Sequence, residues 1–208
     1  MVLSETNNGR AFELTTPPRR VQIIGGTVRA STKNAGPNCR NVDMSQDAES
    51  AEKHNGGCLC GDVRYQLVGD PILLTICYCT FCQRATGSSH LIEPIWNAGA
   101  FSFNSAEPPK FHATSRGSGK QIIISFCRRC GTKVCQHMER FAGVIGIYAG
   151  TLDEPNVATK AKETWRIFLN YAPKGTVIPA RVRWWPEHRL ATDGTPNEPM
   201  FSEEPHIV

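Results

Sequence analysis

Seven of the nine cysteines in this chain fall into three short runs: "CLC" at Cys58 and Cys60, "CYCTFC" at Cys77, Cys79 and Cys82, and "CRRCG" at Cys127 and Cys130. Thiols this close together serve a disulfide, a redox pair, an iron–sulfur cluster or a thiolate-held divalent metal. The amino terminus, "MVLSETNNGRAFELTTPPRR", has no apolar signal core, and Glu5 and Glu13 argue against a mitochondrial presequence. A cytoplasmic address is therefore the expectation. In that compartment cysteines are metal ligands or reactive thiols rather than a disulfide framework, and the odd total points the same way.

A zinc ion wants four ligands in a tetrahedron, commonly one short pair from each of two hairpins. "FCRRCGT" has the form of a zinc knuckle and needs a distant partner pair, for which "CLC" and "CYCTFC" are the two candidates. If Cys58 and Cys60 close a site with Cys127 and Cys130, metal binding becomes part of folding. Cys77, Cys79 and Cys82 then remain as three thiolates on one segment, the pattern of catalytic zinc with a vacant corner. From spacing alone, a reactive thiol group or an iron–sulfur fragment stays open for this trio. Cys39 reads as a free thiol and Cys135 as a core residue, although Cys135 or His137 could in principle reach a metal.

The chain has 208 residues, enough for one compact domain with tails. Residues 1–53 read as a partly disordered extension in which only "RRVQIIGGTVRA" could make strands; 54–175 form the domain, and 176–208 return to loop composition. Trp184 and Trp185, within that tail, are expected to dock. "VRYQLV" alternates as a half-buried strand does, and "ILLTICYC", "HLIEPIW", "FSFN", "PKFHATS", "KQIIISFC", "GVIGIYAGTL" and "TWRIFLNY" are further short strands between turn residues. A turn or two of helix is expected only around "FCQRATG". The expected fold class is mainly β, built of short antiparallel strands. A net charge of +4, with basic residues scattered among 19 acids, leaves no basic stripe, so no nucleic-acid partner is expected. No apolar run approaches the roughly 20 residues that span a bilayer, so no membrane partner is expected either.

The run "GGCLCGDVRYQLVGDP…CYCTFCQRATGSS…FCRRCGT…YAGTLDEP" resembles the glutathione-dependent formaldehyde-activating enzyme family, which also includes centromere protein V. The likeness covers about residues 54 to 173. It implies an Mss4-like fold with two zinc ions per chain, a structural one on Cys58, Cys60, Cys127 and Cys130 and a catalytic one on Cys77, Cys79 and Cys82. It also implies condensation of formaldehyde with glutathione to S-hydroxymethylglutathione, a carbon–sulfur lyase reaction in reverse. The partners would be a small-molecule thiol and a small carbonyl compound. The chain departs from the family's usual residues at Tyr78, where His is usual, at Gln83, where Arg or Lys is usual, and at Trp165, where His is usual. These departures bear on the substrate rather than on the metal.

Thiolate-held zinc activates sulfur more than it polarises a carbonyl, because three negative sulfurs weaken its Lewis acidity. Arg84 and Ser88, just beyond the trio, are the candidate anchors for an anionic thiol, and Gly87 would let backbone approach it. His90 and His112 titrate in the useful range but read as ordinary hydrogen-bonded or exposed residues. Two other readings stay open: a zinc enzyme of specialised small-molecule metabolism with another substrate, and a zinc-stabilised binding module.

Overall fold

A computed structural model describes residues 51–208. The segment "RRVQIIGGTVRA" and Cys39 lie outside the described residues. The chain runs through β1 (Lys53–Gly57), β2 (Arg64–Val68), β3 (Leu73–Cys77), helix α1 (Thr80–Thr86), β4 (Leu91–Asn97), β5 (Phe101–Phe103), β6 (Lys110–Thr114) and β7 (Gln121–Phe126). It continues through β8 (Lys133–Met138), β9 (Val144–Ile147), β10 (Thr164–Ile167), β11 (Val177–Ile178), β12 (Arg183–Trp184), β13 (Met200–Phe201) and β14 (His206–Ile207). Single turns of 3₁₀ helix fill several of the connections. The structure is mainly β and mostly antiparallel, as the alternating strand pattern predicts.

Three sheets result: β1-β2-β5, β11-β14, and a nine-stranded sheet in the order β13-β12-β10-β3-β4-β9-β8-β7-β6. Within the large sheet, β10 runs parallel to both β3 and β12, which no local pattern announces. Pro94 sits inside β4, yet pairing of β4 with β9 begins only at Ile95↔Gly146, so its missing N–H removes no bond from that ladder. Tyr65, Leu67, Trp96, Val134, Ile145 and Ile147 are buried in one core cluster that also takes in Cys58 and Cys127. A second cluster, with Leu91, Ile124, Ile167 and Trp185, surrounds Cys77 and Cys82.

The segment after residue 175 adds four short strands. Trp184 and Trp185 are both buried. The Trp185 N–H donates to the Arg166 carbonyl at 2.8 Å, and Leu169 N–H donates to the Trp185 carbonyl at 3.2 Å, so this segment builds part of the wall around Cys77 and Cys82. No helix among the described residues is long and apolar enough to cross a membrane.

Candidate metal centre and cavity

Two hairpin turns bring the first four cysteines together. In one, Gly61 N–H donates to the Cys58 carbonyl at 3.1 Å and Val63 N–H points at the Cys58 sulfur at 3.3 Å. In the other, Gly131 N–H donates to the Cys127 carbonyl at 2.9 Å. Gly61 and Gly131 hold φ of 81° and 74°, the left-handed conformation that closes such a turn and that glycine adopts without penalty. The Sγ atoms of Cys58, Cys60, Cys127 and Cys130 all lie within 4.8 Å of one another. Cys58–Cys60 and Cys60–Cys127 are each 3.6 Å apart, too long for a disulfide and close to the roughly 3.8 Å edge of a tetrahedron with metal–sulfur bonds of about 2.3 Å. A hydrogen bond with the Thr132 hydroxyl, followed by that residue's N–H, pulls the Cys130 thiol down to about 5. The donor set and its spacing fit a closed tetrahedral metal site.

Cys77 ends β3, Cys79 caps α1, and Cys82 lies one turn inside the helix. The cap is made by sulfur: Cys82 N–H donates to Cys79 Sγ at 3.3 Å. The β-strand end and the helix start thereby aim three sulfurs at one point, within 4.8 Å of one another. Hydrogen bonds from Cys77 and then Cys82 hold the Cys79 thiol down to about 3. The same contact with Cys79 drives Cys77 well up, and contact with Cys77 does the same to Cys82. These contacts favour negative charge on the Cys79 sulfur, which suits a cation.

All three line a cavity of about 1050 Å³. Arg84 also lines it, while Ser88 is exposed past the end of α1 and is not in the lining. His90 stacks on Tyr78, with ring centres 5.0 Å apart, and His112 is exposed on β6; neither borders this cavity. Gly87 closes α1. Gln83 bridges instead of binding, its side-chain amide donating to the carbonyls of Tyr78 at 2.6 Å and Tyr171 at 2.8 Å. Trp165 is in the lining, under the guanidinium of Arg189 at 4.4 Å from the ring centre. Cys135 is fully buried in the core, where burial pushes its thiol up to about 11.

Sequence reasoning missed the cavity's polar floor. Glu93, on β4, is buried and lines the cavity, and its Oε1 accepts from Gln136 Nε2 on β8 at 2.6 Å. Gln136 Oε1 in turn accepts from the Tyr148 hydroxyl at 3.2 Å. Burial pushes the Glu93 carboxyl up to about 7. Its place exists because β9 presents glycine there: a Cβ on Gly146 would overlap Glu93 Oε1. Gly146→Ala is expected to destabilise the fold by about 1–3 kcal/mol, as overpacking does, and a thermal melt against the wild type checks it. The only signal for Glu93 was an acid at an inward position of an alternating strand, in "HLIEPIW". His188, which also lines the cavity, stacks on Phe141, lies tilted against Phe168 and accepts the Leu190 N–H on Nδ1 at 2.9 Å.

A family model described as glutathione-dependent formaldehyde-activating enzyme matches residues 53–170. Among solved structures, a crystal structure of a Rhodobacter sphaeroides protein is similar at 18% identity, covering 53% of this chain and 98% of that one with a TM-score of 0.41. The matched stretch is more than half of the chain and contains all seven clustered cysteines. The chain therefore belongs to the glutathione-dependent formaldehyde-activating enzyme family.

Proposed function

We propose that the protein is a zinc-dependent carbon–sulfur lyase or condensing enzyme that joins a thiol of the glutathione type to a carbonyl compound and cleaves the adduct in reverse. The observation that carries this reading is the convergence of Cys77, Cys79 and Cys82 on the wall of a large cavity, apart from the four-cysteine cluster. Cys58, Cys60, Cys127 and Cys130 would hold a structural zinc, and the trio a second one. A metal held by three sulfurs supplies an open position that lowers the pKa of a bound thiol.

The protein's own residues do the rest. Arg84, an exposed residue of the cavity lining two positions after Cys82 on α1, anchors a carboxylate of the thiol substrate. Trp185, Ile167 and Leu91 are buried in one cluster with Cys77 and Cys82 and shield those sulfurs from bulk water. In the forward reaction the S–C bond forms, the thiol loses its proton, and the carbonyl oxygen gains one. Glu93 and Gln136, on the cavity floor, are the polar groups that can orient that oxygen.

The test is a titration of purified protein with glutathione, with and without formaldehyde, following adduct formation by NMR. Saturable, metal-dependent adduct formation that Cys79→Ser reduces at least about a hundredfold is the expected result. Adduct formation at the uncatalysed rate at every thiol concentration would overturn the reading.

A further inference from the structure

Formaldehyde would leave nearly all of a 1050 Å³ cavity to water. Spaces of this size normally enclose a drug-sized molecule among apolar walls with a few placed polar groups. The walls here are of that kind: Phe111, Phe141, Trp165 and Phe168 supply aromatic surface, with Arg140 over the Phe141 ring and Arg189 over the Trp165 ring, and Ile72 and Ile122 add aliphatic surface. Of the cations in the lining, Arg84, Arg116 and Lys133 have no ion-pair partner among the described residues, and two others are engaged. Arg140 donates to the carbonyls of Leu190 and Ala191, and Lys120 pairs with Glu139 at 3.1 Å.

Phe168 adds an independent sign. It holds φ of 62°, a left-handed conformation that a bulky side chain rarely takes. In that conformation its ring borders the cavity and rests against His188 and Tyr171. Strain of this sort persists where the surroundings enforce it, and it gathers at ligand clamps. The same lining offers one carboxyl and one amide, Glu93 and Gln136, joined to each other, the amide also held by Tyr148. A carboxyl–amide pair in an apolar chamber suits a molecule whose ring system carries one or two oxygen groups.

We infer that the carbonyl partner at this site is an apolar, ring-bearing ketone or aldehyde, its rings among Phe111, Phe141, Trp165 and Phe168 and its oxygen toward Glu93 and Gln136, with the thiol entering at the Arg84 edge. The inference rests on the thiol–carbonyl reading given above. The reaction is unchanged in balance: the thiol S–H is lost, the S–C bond forms, and the carbonyl oxygen takes the proton.

The experiment is a calorimetric titration of the full chain with 2-acetonaphthone and with acetone, followed by adduct assays of glutathione with 2-naphthaldehyde and with formaldehyde. Burying roughly 150 Å² of ring surface should make 2-acetonaphthone bind at least about a hundredfold more tightly than acetone. Phe168→Gly, which suits the left-handed backbone and removes the ring, should weaken 2-acetonaphthone binding about tenfold. The binding comparison on the wild type stands even if that variant fails to fold. Absence of saturable 2-acetonaphthone binding, or equal affinity for acetone, overturns the inference. Formaldehyde turnover without naphthyl binding sinks this inference and leaves the thiol–carbonyl reading standing. Naphthyl binding with no thiol adduct from either aldehyde sinks that reading and leaves the cavity's ligand class standing.

Discussion

Cys127→Ser should leave the chain without a stable fold, whereas Cys79→Ser should stay folded and lose only the metal of the trio. Cys127 is almost fully buried in the main core, and its backbone bonds to Thr132 and Gly131 shape the turn that meets Cys58 and Cys60. A closed site of four sulfurs draws on metal binding for folding, so losing one ligand removes a large part of the roughly 5–15 kcal/mol that holds a domain together. Cys79 lies outside that core, and its structural task is to accept the Cys82 N–H at the start of α1. Serine performs that task well as a helix cap. Thermal unfolding and metal content of the two variants check the pair: loss of the cooperative transition is expected for Cys127→Ser alone. Equal collapse of both would refute the division of labour between the two clusters.

The second large effect belongs to Glu93. Burial raises its carboxyl to about 7 in the folded protein, against an ordinary value of 4.5. A raised folded value means that the folded state holds the proton more tightly than the unfolded one. Its contribution to stability is therefore complete below about 4.5 and is lost as pH rises through about 7. A difference of that size corresponds to about 3 kcal/mol. Glu93→Gln keeps the hydrogen-bonding shape toward Gln136 and removes the ionisation. The variant should match the wild type near pH 4.5 and exceed its stability at pH 8 by about 1–3 kcal/mol. Denaturant unfolding at the two pH values measures this, and a wild type whose advantage over the variant grows with pH would contradict it.

Much of the architecture was legible because most of the strands between β2 and β10 carry their own signal. The alternation in Arg64–Val68, the apolar runs at Leu73–Cys77 and Gln121–Phe126, and the short helical stretch at Thr80–Thr86 are local patterns, and the elements sit where those patterns fall. Strand β1 was hidden because "KHNGG" has no apolar side chains; it exists through five paired residues with β2. The parallel pairing of β10 with β3 joins residues about ninety positions apart, and the strands after residue 175 have two residues each, too short for any periodicity. The cysteine clusters were readable because ligand spacing is itself local. The floor was not: Glu93 on β4, Gln136 on β8 and Tyr148 just past the end of β9 meet only through sheet register, with Gly146 making the space. His188 and Phe168 likewise become cavity walls only when the final segment docks along β10.

In the proposed division of labour a closed sulfur cluster supports the fold and an open trio faces the cavity. Zinc X-ray absorption on the purified protein, before and after glutathione, tests it most directly. Two zinc ions per chain averaging roughly 3.5 sulfurs each, rising toward about 4 when the thiol is added, is the result expected from one closed and one open site. A single zinc per chain with a full complement of four sulfurs, unchanged by glutathione, would contradict it.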